Sequence, residues 1–91
     1  MKRRAVQESR KSRKARTAPF QKTYNRLLEK LIEARNDAGL TQREVSALMG
    51  RSHNFLTKCE SGERSIDVME LLEMANLYQK PISYFFVESG Q

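Results

Sequence analysis

The side chains that could recognise another molecule lie on one short predicted helix, residues 52–61. When this segment is projected at about 100° per residue, Asn54 and Lys58 fall on the face opposite Leu56. An asparagine amide can pair with adenine through two hydrogen bonds, and a lysine ammonium can donate to guanine or to phosphate. This polar face suits the major groove of DNA, although an ordinary solvated helix face would show the same pattern.

Phe55 lies on the flank of this face, and the sequence leaves its role open. The edge of its ring could meet the methyl group of a thymine. Alternatively, the ring is mostly buried between helices. Thr57 lies on the opposite flank.

A second predicted helix precedes this one and would position it. Thr41 and Glu44 have the spacing of a capping box, in which each side chain binds a backbone N–H group at the start of a helix. Gly50 can adopt the left-handed conformation that ends a helix, and Ser52 can cap the next one. The two segments therefore predict a helix-turn-helix.

Helices are also predicted on both sides of this unit. The apolar spacing from Tyr24 predicts an amphipathic first helix that Gly39 ends. Asp67 and Glu70 predict the start of a fourth helix, and Pro81 suits the first turn of a short fifth helix. The predicted buried stripe of the fourth helix consists of Val68, Leu71, Leu72, Ala75 and Tyr78, with Met69 and Met74 off or beside it.

From Leu31 to Phe86 the chain resembles the Cro and lambda-repressor (XRE-type) family of helix-turn-helix DNA-binding domains. Counted from Gln42, that family expects a small residue at the fifth place, glycine at the ninth, and branched aliphatic residues at the fifteenth and eighteenth. This chain has Ser46, Gly50, Leu56 and Cys59 there. The flanking sequences RNDAGLTQ and ESGER also look like that family. Serine at position 46, where alanine is commoner, and cysteine at position 59 depart from the pattern, but both are small enough to pack.

The resemblance implies an all-α fold, a compact five-helix lambda-repressor-like domain over residues 20–91. Residues 1–19 are predicted to form a disordered basic arm, because they contain few apolar residues and repelling like charges. Eight of the 17 basic residues and only one acid, Glu8, lie before residue 19. The basic residues of the arm are Lys2, Arg3, Arg4, Arg10, Lys11, Arg13, Lys14 and Arg16.

The arm has three open interpretations. It could bind DNA phosphates or the minor groove. It could instead be a solubilising tail, or it could bind RNA by itself.

The resemblance also assigns roles to individual residues. The helix from Ser52 to Ser61 would enter the major groove, with Gln42 binding phosphate and bracing His53. A partly buried ion pair between Arg35 and Glu60 would join the first and third helices. The predicted base contacts are His53, Asn54, Phe55 and Lys58; the predicted backbone contacts are Gln42, Arg43, Arg51, Ser52, Thr57 and Ser61.

The apolar C-terminal end, with Tyr84, Phe85 and Phe86, exceeds what one short helix can easily bury. We therefore predict a homodimer contact there, as is frequent in the resembling family. The alternative is an antitoxin-like interaction module whose main partner is another protein, with autoregulatory DNA binding. On the homodimer interpretation, the chain is a transcriptional regulator that binds double-stranded DNA, and we expect it to be a repressor.

Several other classes are disfavoured. A single cysteine and a single histidine build neither an internal disulfide nor a zinc site. No apolar run approaches a membrane span, and the N-terminus lacks the apolar centre of a signal peptide, so we expect a soluble, cytoplasmic, nucleoid-associated protein. No titratable pair has catalytic spacing and no glycine loop could hold a phosphate, so we expect neither an enzyme nor a cofactor.

Overall fold

The computed structural model of the chain describes residues 18–86, whose regular elements are all helices, with no strand among them. In the described part of the chain, no helix is both long and apolar enough to cross a membrane. The helices are α1 (Ala18–Asp37), α2 (Gln42–Leu48), α3 (Phe55–Ser61), α4 (Val68–Tyr78) and a 3₁₀ helix (Ile82–Phe86). The predicted basic arm lies almost entirely outside the described residues.

The first helix begins six residues before the predicted start at Tyr24. Its apolar positions recur every three or four residues, which places Leu28, Leu31 and Ala34 on one buried face. This face packs against α3, α4 and the 3₁₀ helix. The early residues of α1 continue the helix beyond the part that the core covers, and Phe20 is exposed there.

Both predicted capping boxes are present. At α2, the Glu44 backbone N–H donates to Thr41 Oγ1 over 3.0 Å, and the Thr41 N–H donates to Glu44 Oε1 over 2.8 Å. At α4, Asp67 and Glu70 make the same reciprocal pair over 2.8 and 3.0 Å. Each box satisfies backbone donors that the first turn of a helix leaves unpaired, so it fixes where the helix begins.

The buried stripe of α4 is rotated from the predicted one. Leu71, Ala75 and Tyr78 are buried as expected, but Val68 and Leu72 are exposed. Met74 and Glu70 are buried in their place. The core consists of Leu28, Leu31, Ala34, Val45, Met49, Phe55, Leu56, Cys59, Leu71, Met74, Ala75, Tyr78 and Phe85.

The fifth predicted helix is a single 3₁₀ segment, so the described region has four α-helices rather than five. Phe85 is buried in the core, and the Tyr84 ring packs against it edge to face with the centroids 5.0 Å apart. The Tyr84 hydroxyl donates to Glu33 on α1 over 3.2 Å. Two of the three aromatic residues predicted to contact a second copy therefore pack within the chain, and Phe86 remains exposed.

Candidate nucleic-acid interface

The turn between α2 and α3 depends on Gly50, which has a φ of +68°. In this conformation the Arg51 N–H reaches back to the carbonyl of Ser46 over 2.9 Å. An L-residue with a side chain adopts this left-handed conformation at a cost of about 1–2 kcal/mol, whereas glycine adopts it freely. The glycine therefore sets the direction in which the chain leaves α2 for α3.

The third helix begins later than predicted, at Phe55 rather than at Ser52. The Ser52 hydroxyl does not cap it; it donates to Oδ1 of Asn54 over 3.0 Å. The Ser52 carbonyl accepts the Phe55 N–H over 3.0 Å and forms a turn ahead of the helix. Ser52, His53 and Asn54 thus form an exposed turn that leads into α3.

Two buried side chains fix α3 from below. Leu56 and Cys59 are almost fully buried in the core. Burial raises the pKa of the Cys59 thiol, so the side chain stays neutral and packs as a small apolar group. The opposite face of the helix and its leading turn are exposed, and they carry His53, Asn54, Thr57, Lys58 and Ser61.

Phe55 does not belong to that exposed face. It is only 5% exposed, so its ring is buried between helices and presents no edge to a thymine. The guanidinium carbons of Arg51 and Arg64 lie 4.5 and 4.9 Å from its ring centroid. The sequence left two roles open for this residue, contact with a thymine or burial between helices, and the structure shows burial between helices.

These two arginines converge on Glu70, which is 3% exposed at the start of α4. Arg51 donates to it over 2.6 Å, and Arg64 donates twice, over 2.9 and 3.0 Å. The hydrogen bonds from Arg64, with those from the Asp67 N–H and Arg51, outweigh the cost of burial and hold the pKa of Glu70 at about 2. The carboxylate therefore stays charged and ties the loops on both sides of α3 to α4.

A second network holds the other side of α3. Arg35 and Glu60 form a nearly buried ion pair, with Nε to Oε2 at 2.7 Å and Nη2 to Oε1 at 3.1 Å. Gln42 donates to Glu60 over 2.7 Å and accepts the Thr57 hydroxyl over 2.9 Å. Gln42 therefore braces Thr57 and Glu60, and the expected contact with His53 is replaced by these two.

Ser46, which stands where alanine is commoner in the resembling family, has a specific contact. Its side chain is completely buried on α2. Its hydroxyl oxygen accepts the backbone N–H of Leu56, in the first turn of α3, over 3.1 Å. The start of α3 is thus capped by the preceding helix, while Asn54 at its own N-cap position makes no side-chain capping bond.

The predicted base contacts and backbone contacts fall into three groups in the structure: exposed residues, residues held in hydrogen-bond networks, and one buried residue. His53, Asn54, Lys58, Arg43, Ser52, Thr57 and Ser61 are exposed. Gln42 and Arg51 are held in the networks described above, and Phe55 is buried. The sequence predicted Glu70 only as a capping residue and gave Arg64 no role of its own; a capping glutamate with arginines before and after α3 was the available signal.

The geometry defines a helix-turn-helix unit with an exposed polar face on its second helix. A family model described as helix-turn-helix matches residues 31–85, which is more than half of the chain. The chain therefore belongs to the Cro/C1-type helix-turn-helix family, also called the XRE family. The same comparisons found no match among curated proteins and none among solved structures. Domains of this family are DNA-binding regulators and typically not enzymes.

Proposed function

We propose that this chain is a sequence-specific regulator that binds double-stranded DNA and represses transcription. The observation that supports it best is the exposed row of Asn54 and Lys58, opposite the buried Leu56 and Cys59. A helix presented in this way fits the major groove, where amide and ammonium groups distinguish base pairs. His53 and Asn54 lie on the turn that leads into α3, at the end that helix-turn-helix proteins place against base edges.

The charges around α3 favour binding of a polyanion such as DNA. Two acids that hold α3 in place are neutralised: Glu60 is paired with Arg35, and Glu70 is paired with two arginines. Pairing reduces the repulsion that these carboxylates would exert on phosphates. The exposed side chains of Arg43 and Lys58 are then basic charges that a duplex would meet on α2 and α3.

The other contacts follow the same arrangement. We assign phosphate contacts to Arg43, Ser52, Thr57 and Ser61, because they are exposed around the reading face. Gln42 acts mainly by orienting the Thr57 hydroxyl that it accepts. The basic arm adds affinity that does not depend on sequence, since each lysine or arginine that neutralises a phosphate releases a counterion.

We also propose that two copies bind together through the C-terminal end. Phe86 is 54% exposed and Ile82 lies on the same 3₁₀ helix with its side chain partly exposed. Burying these apolar side chains against a second copy would remove them from water. A symmetric dimer would read two half-sites about one helical turn of DNA apart.

A second candidate function is an antitoxin-like module with a separate protein partner. The supporting observation is a row of exposed apolar side chains on α4, formed by Val68, Met69 and Leu72. Surfaces of this kind often mark protein contacts. Co-purification of a second chain that is released only by denaturant would favour this function, whereas a preparation containing one chain would favour the simple regulator.

The proposal is tested by selecting bound duplexes from a random pool. We expect one enriched sequence, repeated with inverted symmetry at a spacing of about one helical turn. A single enriched half-site would support reading by α3 but contradict the dimer. No enrichment, with binding that depends only on salt, would overturn sequence-specific recognition.

A further inference from the structure

Within residues 18–86, three helices begin after a polar N-cap residue, and α3 begins differently from the other two. Thr41 and Asp67 precede α2 and α4 with extended backbone, ψ being 165° and 170°, and their side chains cap their own helices. Asn54 has a ψ of 10° and its side chain makes no capping bond. Asparagine is among the strongest N-cap residues, so its release from capping requires another acceptor.

Ser46 supplies that acceptor. Its buried hydroxyl oxygen lies 3.1 Å from the backbone nitrogen of Leu56, the second residue of α3. This N–H is one of those that an N-cap side chain ordinarily satisfies. The contact crosses between the two helices of the helix-turn-helix, so it also fixes how far α3 lies from α2.

We infer that Ser46 is a positioning residue for DNA reading: by capping α3 from α2, it leaves the Asn54 amide free to recognise a base. The inference rests on the proposed function, in which Asn54 reads a base pair. Asn54 is exposed, and its Oδ1 accepts the Ser52 hydroxyl over 3.0 Å, which orients the amide outside the helix. The second lone pair of Oδ1 and both Nδ2 hydrogens remain for an adenine edge.

Replacing Ser46 by alanine removes the acceptor without adding bulk. The Leu56 N–H is then buried and unpaired, a state that proteins avoid. Asn54 is the adjacent N-cap residue with a suitable side-chain oxygen, and it can reach this N–H if the turn from Ser52 becomes extended, as at Thr41. The amide would then turn toward the helix and away from DNA.

The experiment measures dissociation constants for the selected duplex and for duplexes with each base pair changed in turn. The proteins are the wild type, Ser46→Ala, Asn54→Ala and the double variant, each at a temperature below its own unfolding midpoint. Ser65→Ala is the matched control, because Ser65 is exposed and its hydroxyl makes no hydrogen bond within residues 18–86. The control should leave discrimination at every base pair unchanged.

We expect Asn54→Ala to reduce discrimination about tenfold or more at one base pair. Ser46→Ala should reduce discrimination about three- to tenfold at that same base pair and leave the other positions unchanged. The double variant should lose no more than Asn54→Ala, because both substitutions remove the same amide from the groove. A role in stability alone would weaken binding to all duplexes by one factor.

The possible failures are distinct. If Ser46→Ala weakens binding to all duplexes by the same factor, or changes nothing, the inference is overturned and the proposed function is left intact. Unchanged discrimination with Asn54→Ala would overturn both the inference and the reading role of Asn54. If Ser46→Ala does not fold, Ser46→Cys decides, because a thiol is similar in size but a much weaker hydrogen-bond acceptor. It should weaken discrimination at the same base pair, and a uniform effect or no effect would overturn the inference.

Discussion

Glu70 offers the sharpest test of how α3 is held, and the substitution is Glu70→Gln. The glutamine keeps the shape of the side chain but lacks the negative charge to which Arg51 and Arg64 both bind. The pKa of Glu70 is held at about 2, below its usual value of 4.5. A difference of this size corresponds to about 3 kcal/mol of stability near neutral pH. Because both arginines can turn toward water, we expect Glu70→Gln to cost about 2–3 kcal/mol at pH 7.

The pH dependence gives the direction of the effect. Since the pKa of Glu70 is lower in the folded chain than in the unfolded one, its contribution is complete above about pH 5 and is lost as the pH falls toward 2. The difference in unfolding free energy between wild type and Glu70→Gln should therefore shrink by about 2 kcal/mol between pH 7 and pH 3.

The assay is urea unfolding followed by circular dichroism, with the free energy extrapolated to zero urea at each pH. Glu73→Gln is the matched control, because Glu73 is an exposed acid on the same helix. It should change stability by less than about 0.5 kcal/mol at either pH. The reasoning is refuted if Glu70→Gln is no less stable than Glu73→Gln at pH 7, or if its deficit does not change between pH 7 and pH 3.

Four further outcomes are expected. Glu60→Ala leaves Arg35 buried without its partner and should cost about 3–5 kcal/mol; an unchanged thermal midpoint would rule out a buried pair. Gly50→Ala should cost about 1–2 kcal/mol because of its positive φ, although nothing lies within 4 Å of the added methyl group; chemical unfolding measures this. Lys58→Ala should lower discrimination among duplexes by about 1–3 kcal/mol, while deletion of residues 2–16 should weaken all DNA binding and flatten its salt dependence. A salt slope unchanged by that deletion would exclude the arm as a phosphate contact.

The features that the sequence predicted correctly are short-range. The capping boxes at Thr41 and Asp67 and the end of α2 at Gly50 each depend on residues within a few positions of one another. The backbone needs these contacts wherever the segment lies in the fold. Local pattern was therefore sufficient to locate α2 and the start of α4.

The start of α3 was wrong because the decisive contact is not local. Ser52 is a good N-cap residue by type, but its hydroxyl donates to Asn54 Oδ1, and the side-chain acceptor for the first turn of α3 is Ser46 on another helix. A sequence pattern shows which groups a side chain can bind. It does not show which acceptor the tertiary fold places next to a given N–H group. The same limit left the burial of Phe55 undecided until its neighbours were placed.

The rotated stripe of α4 has a similar cause. The apolar pattern placed Val68 and Leu72 inside and gave Glu70 only a capping role. In the fold, Glu70 is inside because Arg51, from before α3, and Arg64, from the loop that follows it, neutralise it there. A buried charge is acceptable only with such partners, and single-segment periodicity does not contain them.

The convergence of two arginines on Glu70 also makes α3 and α4 one mechanical unit. A molecule that binds the apolar row of Val68, Met69 and Leu72 and displaces α4 would also displace the two loops on either side of α3. The tilt of the proposed reading helix would change with α4, so binding of a partner at this row would alter the affinity for DNA without involving a base contact.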